Sequence, residues 1–109
     1  MDVSGVNAVV MGGGKSGCAA ALLLASRGAV VRLLEKNPDN LDQEWAERAK
    51  AAGVAVRTGE HNKADFTGSS LVAMSPGIPV RKVSHLFPQG VEVISELELA
   101  WRMSDIPVL

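Results

Sequence analysis

Six consecutive residues, Gly12-Gly13-Gly14-Lys15-Ser16-Gly17, constrain this chain more than any other stretch. They follow an apolar run, Ala8-Val9-Val10-Met11, and lead into an alanine- and leucine-rich run from Cys18 to Ser26. The first run reads as a buried strand closed by glycines, and the second as a helix. Glycines let the backbone turn sharply and let a ligand approach closely. The helix start offers unpaired N–H groups and the positive end of a dipole. A phosphate or pyrophosphate is the natural occupant of such a turn.

The rest of the chain repeats the alternation. Strand one covers residues 6–11, and helix one runs from Lys15 or Ser16 to about Arg27, with Gly28 as its stop. A second apolar strand, 29–34, ends in the polar Glu35-Lys36-Asn37-Pro38. Asn40 is the expected N-cap of helix two, with Gln43 as its capping-box partner. The stripe Leu41, Trp45, Arg48/Ala49 and Ala52 makes that helix amphipathic. Residues 54–58 form a third strand near a sheet edge, and 64–66 a single helical turn. Strand four, 71–75, is closed by Ser75-Pro76-Gly77-Ile78-Pro79, which forbids further regular pairing. Residues 81–89 hold a short helix broken near Pro88. Strand five covers 91–94. Ser95, with Glu98 at the capping-box position, then starts a helix to about Met103 with Leu97, Ala100 and Trp101 on its apolar side. Residues 106–109 begin another extended segment.

Strands alternating with helices at this spacing predict an α/β fold. The expected form is a Rossmann-like, doubly wound parallel sheet of about five strands with helices on both faces. In such sheets ligands sit beyond the carboxyl ends of the strands, near the switch in strand order. Those ends are the glycine loop, Glu35-Lys36-Asn37, Gly59-Glu60-His61, Ser75-Pro76-Gly77 and Ser95-Glu96.

Composition narrows the function classes. At 109 residues, the chain is expected to form one domain, 1–109. Hydrophobic residues make up 47% and charged residues 21%, a globular balance. The net charge of −1 comes from interspersed acids and bases, so neither nucleic acid nor an anionic membrane is an expected partner. No run approaches the roughly 20 apolar residues of a membrane span. A single cysteine, Cys18, rules out an intrachain disulfide and fits a cytoplasmic location.

Gly12-x-Gly14-x-x-Gly17, with Glu35 at the end of the next strand, matches a dinucleotide fingerprint. An NAD-binding domain of a dehydrogenase or regulatory protein is therefore one reading, and a non-catalytic α/β interaction domain is another. Gly14-Lys15-Ser16 imitates the end of an ATP-binding P-loop, but that pattern needs a glycine where Val9 stands. Cys18 at the start of helix one reads as a packing residue, beside Ala19 and Ala20. His61 and His85 are isolated, and no metal-ligand spacing occurs.

Several stretches in this order carry a resemblance. They are Gly12 to Ala21, Arg27-Gly28, Gly59-Glu60-His61, Ser75-Pro76-Gly77-Ile78-Pro79 and Ser95-Glu96-Leu97-Glu98-Leu99-Ala100. Together the chain resembles, over nearly its whole length, the N-terminal domain of the Mur ligases that add D-glutamate to UDP-N-acetylmuramoyl-L-alanine in peptidoglycan synthesis. The resemblance implies a domain that holds the UDP end of that substrate and binds no cofactor or metal of its own. ATP and magnesium would belong to central and C-terminal domains lying beyond this chain, which alone would be inactive as a ligase. By position, Gly14, Lys15, Ser16 and Gly17 would contact the nucleotide. Glu35, Lys36 and Asn37 would flank the uracil, and Ser75 and Gly77 would lie along the ribose-pyrophosphate. Glu35-Lys36 departs from the aspartate and small polar residue common there. No catalytic residue falls in this stretch.

Overall fold

The computed structural model describes residues 2–104. Five parallel strands form one sheet in the order β3-β2-β1-β4-β5: β1 Asn7–Met11, β2 Val30–Glu35, β3 Ala55–Thr58, β4 Leu71–Met74 and β5 Glu92–Ser95. The register pairs Met11 with both Leu34 and Met74, which brings the carboxyl ends of the three central strands level. Strand order reverses between β1 and β4. The loops after these two strands therefore diverge over a crevice, the place where open parallel sheets bind ligands. The expected edge position of the third strand is borne out.

Side chains alternate across the central strands. Ala8 and Val10 of β1 face one way, with Val31 and Leu33 of β2 and Ala73 of β4. This face is covered by three helices, α1 Lys15–Ser26, α2 Gln43–Ala51 and α4 Glu96–Arg102, through Cys18, Ala21, Leu24, Ala46, Ala49 and Leu99. Small residues at Cys18, Ala21, Ala46 and Ala49 are fully buried and let α1 and α2 lie close to the sheet. The opposite face carries Val9, Met11, Leu34, Val72 and Met74. It is covered by shorter pieces: a 3-10 turn, Lys63–Phe66, and the segment α3 Val80–Val83 with a 3-10 turn, Ser84–Leu86. Phe66 is fully buried here and meets Phe87 with ring centroids 5.1 Å apart. Arg57 donates to both oxygens of the buried Asp65, at 2.7 and 2.9 Å, and ties the Lys63–Phe66 turn to edge strand β3.

Three local expectations are corrected. Asp42, not Asn40, caps α2: its carboxylate accepts the Trp45 N–H at 3.0 Å. Pro38 begins a 3-10 turn, Pro38–Asn40, capped by the Asn37 side chain, so the helix starts later. The interior side of α4 is Leu99, with Met103 beyond its end, whereas Leu97 is 81% and Trp101 62% exposed. Ser95 caps that helix by accepting the Glu98 N–H, but the Glu98 carboxylate pairs with Arg102. The segment 81–89 is short, as expected, and leaves helical geometry at Phe87, the residue before Pro88. The extended segment expected at 106–109 lies outside the described residues.

Candidate functional site

The crevice is built on the glycine loop, whose inner part is locked by packing. Gly12 turns the chain off β1 at φ +112°, and a Cβ there would sit 2.8 Å from the Ser75 Cβ. A Cβ on Gly17 would collide with the Gly12 carbonyl oxygen. The first turn of α1 thus rests directly on the end of β1. Gly13 is the polar hub: its N–H donates to Glu35 Oε1 at 2.8 Å, and its carbonyl accepts from the Asp42 N–H at 2.8 Å. The Cys18 thiol donates to the same carbonyl at 3.4 Å. Burial pushes that thiol above its ordinary pKa, and the negative charges of Asp42, Glu35 and Glu96 push it the same way. Cys18 is fully buried and packs in the core on the helix-covered face of the sheet.

The outer part of the loop is open. Gly14 is extended, at φ −70° and ψ −179°, and a Cβ there would meet nothing within 4 Å. The first helical bond runs from the Cys18 N–H to the Gly14 carbonyl. The N–H groups of Lys15, Ser16 and Gly17 therefore have no intrahelical acceptor. They are available to an anion at the positive end of α1.

Of the nine residues singled out from sequence, Gly14, Ser16, Gly17, Glu35, Ser75 and Gly77 line one cavity of about 280 Å³ at the β1/β4 switch. Lys36 lines an adjoining cavity of about 550 Å³ that shares Gly12, Glu35 and Ile78 with the first. Its floor is apolar, with Leu34, Ile78 and Leu86, and its rim carries Lys82, His61 and His85. Lys36 pairs with Glu60 at 3.6 Å across exposed surface. Lys15 turns away from the loop, its Nζ 5.8 Å from the centre of the Trp45 ring, which Arg48 also approaches at 4.7 Å. Asn37 caps the 38–40 turn, and its N–H donates to Glu35 Oε2 at 3.0 Å. Both oxygens of Glu35 thus already accept backbone N–H groups of this chain.

Sequence reasoning did not select Asn40 and Glu96, which line the smaller cavity. Glu96 accepts the Ser16 hydroxyl at 2.9 Å. Its position at the carboxyl end of a strand, just after the Ser95 cap, was the available signal. Among the described residues, no three His, Cys, Asp or Glu side chains converge as a metal site. No described helix is long and apolar enough to cross a membrane.

Comparison with known proteins adds a family. Residues 6–95 match the family model "Mur ligase MurD-like, N-terminal domain". The UDP-N-acetylmuramoylalanine--D-glutamate ligase of Nitratidesulfovibrio vulgaris (strain Miyazaki F) is 46% identical over 100 residues, covering 89% of this chain and 22% of that protein. The ligase of the same name from Desulfovibrio desulfuricans is 39% identical over 109 residues, covering 96% and 25% respectively. The chain therefore spans about a quarter of the length of the curated relatives it matches. Among solved structures, the precorrin-2 dehydrogenase SirC aligns with a TM-score of 0.64 at 15% identity, over 85% of this chain and 45% of that one. A diketoreductase aligns with a TM-score of 0.59 at 15% identity, over 84% and 41%. At such identities these two likenesses bear on the fold alone, and that fold is Rossmann-like.

Proposed function

The chain belongs to the MurD-like N-terminal domain family of the Mur ligases, and we propose that it holds the UDP end of UDP-N-acetylmuramoyl-L-alanine for addition of D-glutamate. The observation that carries this reading is the 280 Å³ cavity at the strand switch, lined by Gly14, Ser16 and Gly17 at the start of α1. The pyrophosphate sits at Lys15, Ser16 and Gly17, where the backbone donors and helix dipole meet it. Gly14 lacks a side chain where the ligand passes, and Ser75 and Gly77 form the opposite wall. The uracil lies in the adjoining cavity, over its apolar floor, flanked by the Glu35–Asn37 turn. Glu35 acts indirectly there: by holding the Gly13 and Asn37 N–H groups it shapes both walls.

This division leaves the chemistry to the rest of a longer protein. Neither an ATP-binding P-loop nor a convergent metal-ligand group occurs among the described residues. Phosphoryl transfer and amide formation, with ATP and magnesium, belong to further domains of the kind that make up the relatives' remaining length. The reaction is cytoplasmic in this reading, and ligase activity is expected only together with those further domains. Titration calorimetry with UDP-N-acetylmuramoyl-L-alanine tests the proposal. Saturable binding is expected, while NADH gives none. Absence of heat at millimolar ligand from folded protein, or preferential binding of NADH, contradicts it.

A further inference from the structure

Glu96 has no part in the reading above, yet its carboxylate is pressed against the glycine loop. It is the first residue of α4, immediately after β5. Its Oε2 accepts the Ser16 hydroxyl at 2.9 Å, and its Oε1 is buried with no hydrogen-bond partner. That orphan oxygen packs over the loop floor: it lies 3.2 Å from where a Cβ on Gly17 would be and 3.8 Å from one on Gly12. A buried, unsatisfied carboxylate oxygen is unfavourable, and native structures rarely leave one without a reason.

We propose that Glu96 sets which anions the loop accepts, turning bare anions away and admitting a phosphate only when the rest of its ligand is bound beside it. The inference rests on the loop being a phosphate site. A hydroxyl has a single proton to donate. A phosphate at the start of α1 obtains the Ser16 proton only by taking it from Glu96. The carboxylate, left with neither oxygen satisfied, then faces a second negative charge at short range, where repulsion is strong. No cationic side chain offsets it: none occurs among the residues lining this cavity, and Lys15 lies over Trp45. Glu35 and Asp42 add negative charge close enough to act on Cys18 together with Glu96. An inorganic anion offers nothing to open this latch. A nucleoside diphosphate does, because its base and sugar gain contacts in the adjoining 550 Å³ cavity.

The test is titration of the chain and of Glu96→Gln with inorganic pyrophosphate and with UDP. Glutamine keeps the shape and an acceptor oxygen for Ser16 but removes the charge. Pyrophosphate is expected to bind about tenfold tighter to the variant at low salt, with the gain shrinking as salt rises. A Glu96 that merely held the loop in shape would give no gain. Unchanged or weaker pyrophosphate binding by folded Glu96→Gln overturns the proposal. UDP binding to the unmutated chain separates the two levels. Without it the phosphate-site reading fails and this inference falls with it; with it, but with no gain in the variant, only the role of Glu96 fails. Should the variant not fold, the unmutated chain still decides. The Glu96 carboxyl-carbon resonance must move when UDP binds, and a resonance that stays in place at saturation overturns the latch.

Discussion

Gly14 and Gly17 stand three residues apart in one loop and lack side chains for different reasons. At Gly17 there is no room, because the Gly12 carbonyl oxygen occupies the place of a Cβ. At Gly14 there is nothing but room, with no atom within 4 Å of that place and an extended backbone that any residue adopts. The loop is thus divided. Its inner part, Gly12, Gly13 and Gly17 with Glu35 and Asp42, is architecture that joins β1, β2, α1 and α2. Its outer part, Gly14 to Ser16 together with the N–H of Gly17, makes no packing demand and is left for a ligand. A fingerprint read as one motif therefore carries two independent requirements, and substitutions can separate them.

The largest effect is expected at the inner part. Gly17→Ala should destabilise the fold by about 3 kcal/mol or more, because the colliding atom is backbone and cannot swing aside. Urea unfolding measures this, and a loss under about 1 kcal/mol would erase the distinction between the two glycines. Gly14→Val is the converse. UDP affinity should fall about a hundredfold or more, from the blocked approach of the pyrophosphate. Stability should drop by only about 1 kcal/mol, the penalty of valine at an N-cap. Retained binding would remove the outer part from the site. Glu35→Gln places an amide N–H₂ where the Gly13 or Asn37 N–H needs an acceptor. A loss of about 1–3 kcal/mol in stability is expected, larger than that of Gly14→Val if the inner part is the architectural one. Lys15→Ala should do least. Its ammonium rests over Trp45, so UDP affinity should change less than about threefold, which calorimetry resolves. A tenfold loss would mean that Lys15 leaves Trp45 for the phosphate.

Much of this was legible in the chain. The strand–glycine–helix succession located the crevice, because a parallel sheet with these connections has one switch point and the glycines stand at it. Ser75 and Gly77 follow from the same logic, being the loop of the neighbouring strand. What local pattern did not reveal was decided by contacts distant in sequence. Asn40 has the chemistry of a cap, but Gly13 takes the Asp42 N–H across the fold and the helix starts there. In and just beyond the short α4, the sets Leu97/Ala100/Trp101 and Leu99/Met103 both fit a helical stripe, and only the position of the sheet chooses between them. Glu35 looked like a ligand contact because its place in the fingerprint is right. Its two oxygens also accept the Gly13 and Asn37 N–H groups, a structural role that no spacing rule anticipates.

The central claim is that the outer half of the glycine loop holds the phosphate of a uridine nucleotide. Backbone amide resonances recorded during titration of the chain with UDP address it residue by residue. The account predicts the largest shifts at Lys15, Ser16, Gly17 and Gly77, with Gly53 and Gly68, on remote turns, unmoved. Shifts centred elsewhere, or none from folded protein at millimolar UDP, would contradict it.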